Sequence, residues 1–341
     1  MARTKSALAP MEAALAADLP TGNGWQYEPK WDGFRCLARR DGDVVDLISK
    51  SGKPLERYFP DLVDLLLRVK SDQFVLDGEI IIPAGDGLSF EALQLRLHPA
   101  ASRVRKLAAE TPAEYMLFDL LELDGQSFTL LPQRDRRLAL QQLFAKTRLP
   151  GLHLSPATTD RTAAQRWLMR SGGALDGVIA KCLDLPYRFG ERAMVKVKQL
   201  RSADCVVGGF RYGSKSRAVG SLLLGLYNDQ GTLDHVGFTS AIAAADRDAL
   251  TTTLEALKGG TGFTGKAPGG PSRWSSERSA QWEPLKPGLV VEVRYDQVTA
   301  RRFRHGTALL RWRPDKDPGQ CTFDQLTPPL RPSEMAELFS A

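Results

Sequence analysis

A lysine, an aspartate and an arginine lie close together near the start of the chain. Residues 28–35 read EPKWDGFR, which brings the Lys30 amine close in sequence to the Asp32 carboxylate and the Arg35 guanidinium. Pro29 disfavours helix just before the lysine, so we expect Lys30 on extended or loop backbone. A deprotonated amine presented in this way can attack a carbonyl carbon or a phosphorus atom. Taken alone, the run is also typical of a solvated surface turn, because Asp-Gly is a common turn pair.

Two carboxylates interrupt a run of strand-forming residues. Segment 74–82 is strongly β-favouring but contains Asp77, Gly78 and Glu79. Carboxylates in a buried strand need a partner such as a cation or a ligand hydroxyl. The alternative is a β-bulge at Gly78 with both acids facing water.

A second set of cations ends two later strand-like runs. Segment 194–198 alternates, which predicts Lys196 and Lys198 on one face of a strand. Two neighbouring ammonium groups repel each other unless an anion lies between them. A solvated edge strand would explain the pair equally well. Segment 175–181 similarly opens with Asp176 and closes with Lys181.

Composition describes an ordinary globular chain that is long enough for two domains. The 341 residues are 43% hydrophobic and 25% charged, with a formal net charge of +6. The positive sign suits a polyanionic partner, and the basic residues cluster, although a solvated face is the usual explanation of such clusters. The two clusters are Arg211, Lys215 and Arg217, and Arg301, Arg302, Arg304, His305, Arg311 and Arg313.

Cysteine usage and hydropathy exclude several classes of protein. The four cysteines contain no C-x-x-C pair, which argues against a zinc site and against a disulfide framework. The sequence has no apolar stretch long enough for a signal peptide or a membrane span. We therefore expect a cytoplasmic protein that binds no membrane.

Periodicity predicts an α+β domain followed by an all-β domain. Helical spacing at 59–69, 133–144 and 163–170 separates the strand-like runs of the first part. Beyond residue 200 the pattern predicts a small, partly open barrel of the OB type, with a boundary near Arg201 and domains at 1–200 and 201–341. Its strands are expected at 205–210, 221–227, 235–239, 290–295 and 307–312, with one helix at 247–257 and a long loop at 259–279.

Taken in order, these segments resemble the motifs of the covalent nucleotidyltransferases. The chain is similar to ATP-dependent DNA ligases, and within them to bacterial ligase C and the ligase domain of ligase D. The likeness runs from about Trp25 to about Pro318, and six motifs in one order favour the functional interpretation of each. The matching segments are 30–35, 77–79, 118–119, 176–181, 196–198 and 313–316. The resemblance implies an adenylation domain followed by an OB-fold domain.

The resemblance also implies a reaction. Lys30 would attack the α-phosphorus of ATP, release pyrophosphate and become lysyl-AMP. The AMP would then pass to the 5′-phosphate of a DNA nick, and the adjacent 3′-hydroxyl would displace it. Carboxylates and phosphates are hard oxygen ligands, so the expected ion is Mg²⁺ or Mn²⁺. The resemblance implies nicked duplex DNA as the substrate and a gap-filling repair polymerase as a further partner. We expect a monomer that acts in DNA repair.

Site residues follow from the matching positions. Phe118 would stack on adenine and the backbone around Glu28 would read its amino group, while Lys196 and Lys198 would favour the neutral amine of Lys30. The implied catalytic residues are Lys30, Lys196, Lys198, Asp315 and Lys316. The implied nucleotide-binding residues are Glu28, Arg35, Lys50, Glu79, Phe118, Asp176, Lys196 and Lys198, of which Glu79 and Asp176 would bind the ribose hydroxyls or the metal ion. The expected DNA contacts are Asp32, Arg35, Arg211, Arg217, Arg301, Arg302 and Arg304.

Two positions depart from the common family pattern. The position of Asp176 is more often glutamate in the family. The position of Lys50 is arginine in many relatives, and a lysine there cannot make the bidentate phosphate contact of an arginine.

Two other interpretations share parts of the evidence. An mRNA capping guanylyltransferase or an RNA ligase would use the same lysine chemistry, and a non-catalytic nucleic-acid-binding protein would need only the OB-fold.

Overall fold

The computed structural model describes residues 9–84, 87–171, 175–214, 216–269, 281–299, 301–304 and 306–326. The chain forms two compact units that meet in sequence between Gln199 and Leu200. We call them the N-terminal unit and the C-terminal unit. Within the described residues, no helix is long and apolar enough to cross a membrane.

The N-terminal unit consists of two main sheets and five helices among its described residues. One sheet has the order β1-β12-β11-β2, and the other has the order β10-β8-β5-β3-β4 with β9 on β8. The strands are β1 (Ala13–Ala16), β2 (Trp25–Trp31), β3 (Phe34–Asp41), β4 (Val44–Ser49), β5 (Gln73–Ile81), β6 (Pro83–Ala84), β7 (Gly87–Leu88), β8 (Glu114–Leu123), β9 (Gln126–Ser127), β10 (Leu152–Leu154), β11 (Leu175–Cys182) and β12 (Met194–Val197). The helices are α1 (Pro60–Leu67), α2 (Phe90–Arg96), α3 (Ala101–Glu110), α4 (Gln133–Thr147) and α5 (Arg161–Met169).

Apolar faces of the helices explain this layering. Helix α1 begins with proline at its first turn and buries Leu62, Leu65 and Leu66 against the larger sheet. Helix α5 is capped by Asp160, whose carboxylate accepts from two backbone amides, and it buries Trp167 and Leu168 against the smaller sheet. Each sheet thus has helices on one face, while Ile81 and Met116 of the larger sheet also pack into the core under the smaller one.

The C-terminal unit is a closed, strongly bent sheet. Its order is β15-β14-β13-β17-β20 with β16 on β13, and a bridge between Thr239 and Thr307 joins the two outer strands. The predicted α+β fold followed by an OB-type fold is confirmed. The strands are β13 (Arg201–Tyr212), β14 (Val219–Tyr227), β15 (Leu233–Thr239), β16 (Glu283–Pro284), β17 (Val290–Tyr295), β18 (Val298–Thr299), β19 (Arg302–Phe303) and β20 (Ala308–Trp312), with helix α6 (Arg247–Ala256).

Gly177 permits the close approach of β11 and β12. The pairing of β11 with β2 is irregular between Leu175 and Val178, and Gly177 has φ of +134° there. A Cβ atom on Gly177 would lie 2.1 Å from the carbonyl oxygen of Val197, so any side chain would push the strands apart. Gly177 therefore sets the short distance between β11 and β12 at this point.

We predict that Gly177→Ala lowers the free energy of unfolding by about 2–4 kcal/mol, because it combines a disfavoured φ with a backbone clash. Gly22→Ala is the matched control, since Gly22 has φ of +88° with nothing within 4 Å of a built Cβ. The control should lose only about 1 kcal/mol, the penalty of left-handed backbone. Urea unfolding measures the free energy of unfolding of both variants. Equal losses in the two variants would show that the close approach of β12 does not require glycine at position 177.

Candidate active site

A cavity of about 700 Å³ opens in the N-terminal unit. Residues from both sheets line it, so it lies where their strand ends meet. Its polar lining includes five cations, three carboxylates and the hydroxyl groups of Ser49 and Ser51. The charged residues of the lining are Glu12, Glu28, Lys30, Arg35, Lys50, Glu79, Lys181 and Lys196.

Lys30 shares one carboxylate with a second lysine. Lys30 lies near the end of β2, and its Nζ is 2.5 Å from Oδ2 of Asp176. The Nζ of Lys198 is 3.0 Å from Oδ1 of the same carboxylate. From the sequence, an anion between Lys196 and Lys198 was one of two explanations of that pair; in the structure Asp176 lies between Lys30 and Lys198.

Lys196 adds a further cation to this group. It lies on β12 opposite Ile179 of β11 and lines the cavity. Burial lowers the pKa of its ammonium, and the positive charges of Lys30, Lys50 and Lys198 lower it further. The cluster therefore concentrates positive charge at one side of the cavity, where an anionic ligand would be stabilised.

Glu79 faces these cations from the larger sheet. It is directly opposite Arg35 in the pairing of β3 with β5. Burial raises the pKa of Glu79 to about 7, although Lys30 and Arg35 oppose that rise. The negative charge of Asp32, which is half-buried just after β2, also raises the pKa of Glu79. The Glu79 side chain is consequently divided between its protonated and ionised forms near neutral pH.

The oxygen donors fit a hard divalent cation that keeps most of its water. Glu79 lines the cavity and Asp176 contacts the amine that lines it. Among the described residues, no group of three or more histidine, cysteine, aspartate or glutamate side chains is placed to hold a metal ion. Mg²⁺ typically binds through one or two carboxylates together with substrate phosphates, so this donor set suits it.

Asp77 has a permanent partner. Its carboxylate is fully buried and accepts from Nε and Nη2 of Arg35 at 2.6 Å each. Burial opposes the charge of Arg35, but Asp77 outweighs it and holds the pKa of the guanidinium above its ordinary value. The register of β5 against β8 does shift between Asp77 and Gly78, as a bulge requires. Asp77 nevertheless points into the protein, so the interpretation with both acids facing water is wrong for this residue.

Glu28 and Lys181 form a buried pair at the far side of the cavity. The Nζ of Lys181 is 2.9 Å from Oε1 of Glu28, which also accepts from Gln26 at 2.7 Å. Lys181 donates to the carbonyl oxygen of Phe118 at 2.8 Å and lies 4.9 Å from the centre of its ring. The guanidinium carbon of Arg35 lies 4.6 Å from the same centre. Lys181 was noted in the sequence as the end of a strand, but its apolar neighbours gave no signal that it contacts Glu28.

The sequence also gave no role to the segment before Trp25. Residues Pro10, Met11, Glu12 and Ala13 line the cavity, and the carboxylate of Glu12 lies 3.2 Å from Nζ of Lys50. Lys50 is 60% exposed at its side chain, so this pair is accessible to water. The predicted nucleotide residues of the N-terminal unit are therefore brought together, and an unforeseen wall completes the cavity.

Asp315 and Lys316 lie on the C-terminal unit and have partners there. Arg313 donates to Asp315, which lowers the pKa of that carboxyl to about 2, and it also pairs with Asp204 at 2.9 Å. The Nζ of Lys316 is 3.7 Å from the other oxygen of Asp204. These contacts place the two residues beside one network after β20.

The basic residues of the C-terminal unit have different surroundings. Arg301 lies over the ring of Phe323 at 4.0 Å, and Arg304 donates to Gln297 at 2.8 Å. Arg217 is exposed, and Arg211 lies opposite Ser221 on the sheet. Lys215 and His305 of the sequence clusters lie outside the described residues.

Arg302 and His235 form one contact that the sequence did not indicate. A guanidinium only donates, so Nη2 of Arg302 donates to Nδ1 of His235, at 3.0 Å. Burial lowers the pKa of His235 to about 3, and the charges of Arg302 and Arg211 lower it further. His235 is thus a neutral acceptor that holds Arg302 in place.

Comparison with known proteins gives consistent matches along the chain. Residues 8–198 match the family described as ATP dependent DNA ligase domain, and residues 215–316 match the ATP dependent DNA ligase C terminal region. DNA ligase C2 of Mycolicibacterium smegmatis is 47% identical over 344 residues, which cover 96% of each chain. DNA ligase C of Mycobacterium tuberculosis is 44% identical over 340 residues, covering 95% of this chain and 94% of that protein. A solved Lig E DNA ligase is similar in fold, with a TM-score of 0.56 at 18% identity over 89% of this chain and 99% of that one.

The buried His235 predicts a pH dependence of stability. The unfolded chain binds a proton at this side chain below about pH 6.5, whereas the folded chain does not until about pH 3. The free energy of unfolding therefore falls as the pH falls through this window, by about 1.4 kcal/mol per pH unit from this residue. Between pH 6.5 and 5 the wild type should lose about 2 kcal/mol more than His235→Gln, which keeps an acceptor for Arg302. Parallel stability curves for the two proteins in urea unfolding would contradict the assignment.

Proposed function

The chain belongs to the ATP-dependent DNA ligases, and on this premise we propose that Lys30 is its nucleophile in the cavity of the N-terminal unit. The enzyme joins DNA with ATP and a divalent metal ion through a lysyl-AMP intermediate. The observation that carries the assignment is the position of the Lys30 amine, which lines the cavity beside Asp176 and within reach of the charges of Lys196 and Lys198.

Asp176 holds the nucleophile in place before the reaction. Lys30 must be neutral to attack a phosphorus atom, and its ion pair with Asp176 then loses its attraction. Because Lys198 contacts the other oxygen of the carboxylate, Asp176 keeps a cationic partner at that moment. Lys196 and Lys198 supply positive charge that stabilises the phosphate as the bond to pyrophosphate breaks.

Nucleotide recognition is assigned to the opposite side of the cavity. Phe118 stacks on adenine, and the backbone around Glu28, held by Lys181, reads its amino group. Arg35 contacts the ribose and the 5′-phosphate at the nick, while Lys50 contacts a phosphate after leaving Glu12. The exposed position of Lys50 supports this exchange, because a solvated ion pair is worth little.

Glu79 and Asp176 would hold the divalent ion. When bound, the ion would screen the charges of the triphosphate and stabilise the leaving group. The positions of the two carboxylates support this role, since Glu79 lines the cavity and Asp176 contacts the amine of Lys30 there.

Asp315 and Lys316 are proposed to orient the pyrophosphate leaving group from the C-terminal unit. Lys316 contacts Asp204 at 3.7 Å, a long and weak ion pair, and Asp315 is exposed. Both residues can therefore exchange their partners for a nucleotide at little cost.

The basic residues Arg211, Arg217, Arg301, Arg302 and Arg304 are proposed to contact the phosphates of nicked duplex DNA. Asp32 and Arg35, near the nucleophile, are proposed as further DNA contacts. We further propose a role in DNA repair as a cytoplasmic monomer, with a gap-filling repair polymerase as partner. The likeness to ligase C supports the repair role.

Replacement of Lys30 tests the nucleophile. Lys30→Ala should reduce AMP labelling of the protein from radioactive ATP to background, because no other amine can form the phosphoramidate. Sealing of a nick that already carries AMP on its 5′-phosphate should survive in part, since that step needs no lysyl-AMP. Lys70→Ala, which removes an exposed lysine of the same unit, is the control and should be labelled normally. Residual labelling of Lys30→Ala would overturn the assignment, and labelling of the wild type by GTP in place of ATP would indicate a guanylyltransferase.

Salt dependence tests the DNA contacts. Nick affinity should fall linearly with salt on logarithmic axes, with a slope of about −0.9 per phosphate neutralised. Arg217→Ala should make this slope shallower by about 0.9 while AMP labelling of Lys30 stays unchanged. Arg105→Ala removes an exposed arginine from α3 and serves as the control with an unchanged slope. An unchanged slope in Arg217→Ala would remove this residue from the DNA-binding set.

A further inference from the structure

The segment before β2 is part of the nucleotide cavity, and its position depends on contacts far away in sequence. Residues Pro10 to Ala13 line the same cavity as Lys30. They lead into β1, which pairs in parallel with β12, the strand that carries Lys196. An error in the position of this segment would therefore change the shape of the cavity.

Backbone hydrogen bonds attach the segment along one side. The amide of Met194 donates to the carbonyl oxygen of Glu12 at 3.1 Å. The amide of Glu12 donates to the carbonyl oxygen of Glu191 at 2.8 Å. The amide of Gly190 donates to the carbonyl oxygen of Ala9 at 3.1 Å. These bonds hold one side of the segment but leave both backbone groups of Met11 to be satisfied by other partners.

Tyr187 and Arg35 satisfy both groups of Met11. The Met11 amide donates to the Tyr187 hydroxyl oxygen at 2.9 Å, and the Met11 carbonyl oxygen accepts from Nη2 of Arg35 at 3.2 Å. The Tyr187 hydroxyl in turn donates to Oδ2 of Asp77 at 2.6 Å. Since Asp77 also binds Arg35, the hydrogen bonds form a closed circuit through the Met11 backbone, Tyr187, Asp77 and Arg35.

The circuit is buried, which makes each of its bonds matter. Asp77 has no exposed surface and Tyr187 is 5% exposed. Burial raises the pKa of the Tyr187 phenol, and the charge of Asp77 raises it further, so the hydroxyl keeps its proton for Asp77. Removal of the hydroxyl would leave the Met11 amide unsatisfied and Asp77 with one donor fewer.

We propose that Tyr187 is a positioning residue for ATP binding, because its hydroxyl fixes at once the guanidinium of Arg35 and the wall formed by residues 10–13. This rests on the proposed function of the cavity as the site of lysine adenylation. Tyr187 lies behind that wall and does not line the cavity, so its effect is exerted through Asp77, Arg35 and Met11. The expected consequence is a loss of nucleotide affinity without a loss of the chemical step.

Single-turnover adenylation across a range of ATP concentrations provides the test. In Tyr187→Phe the ATP concentration for half-maximal rate should rise about fivefold to tenfold, the effect of losing one or two buried hydrogen bonds. The maximal rate should stay within about twofold, because Lys30, Lys196 and Lys198 keep their contacts. Hydrogen–deuterium exchange of the Met11 amide should become faster than in the wild type, because that amide loses its acceptor.

Tyr115→Phe is the matched control. Tyr115 is also fully buried in this unit, and its hydroxyl donates to the carbonyl oxygens of Cys36 at 2.6 Å and Leu76 at 3.3 Å, away from Met11. Its ATP dependence and its Met11 exchange should equal those of the wild type. If Tyr187→Phe fails to fold, Asp77→Asn interrupts the same circuit and should give the same rise.

Two results would overturn the proposal. The first is an unchanged ATP dependence in a folded Tyr187→Phe or Asp77→Asn protein, and the second is an equal change in Tyr115→Phe. If the proposed function of the cavity were wrong, the result would be different: Lys30→Ala would keep its AMP labelling, independently of the result for the Tyr187 variant.

Discussion

One carboxylate between two lysines sets the arrangement of the active site. Asp176 contacts Lys30 from β2 and Lys198 from the end of β12, so three segments of one sheet converge on it. The convergence requires β11 to run between β2 and β12, which is the order that the sheet has. It also requires the backbone at Gly177 to approach Val197 more closely than any side chain would allow. The chemistry of the lysine therefore depends on a strand register and on one glycine.

The buried ion pairs of the N-terminal unit explain which charges are left at the cavity wall. Three buried carboxylates each have a dedicated cation: Asp77 has Arg35, Glu28 has Lys181, and Asp119 has Arg136. Buried charges need such partners, because an unpaired one would cost several kcal/mol. Once these pairs are formed, Lys196 and the exposed Lys50 still add positive charge to the cavity wall. A polyanion such as the triphosphate of ATP is the ligand that this excess suits.

The sequence predicted the parts of the site that depend on local pattern. Lys30, Glu79, Asp176 and Lys196 lie in short motifs within strand-like runs, and the structure brings them together. Helix α3 was not predicted because its apolar face is small, with Val104 as its one buried residue. The wall at residues 10–13 and the contacts of Tyr187 were missed for another reason. They depend on the parallel pairing of β1 with β12 and on hydrogen bonds between residues more than a hundred positions apart, which no local spacing records.

Solvent exposure separates the ion pairs that can exchange from those that cannot. The carboxylate of Asp77 and both members of the Glu28–Lys181 pair are shielded from water, so breaking either pair would leave a buried charge without compensation. Lys30 is 26% exposed at its side chain, and the pairs of Lys50 with Glu12 and of Lys316 with Asp204 also reach water. Water can replace a lost partner at these positions, so their bonds are weak in free energy. A ligase must pass its nucleophile, its phosphate contacts and its leaving-group contacts through several states in each cycle. Lys30, Lys50 and Lys316, which are assigned to such changing contacts, are in exchangeable pairs, whereas Asp77, Glu28 and Lys181, which shape the cavity, are in permanent ones.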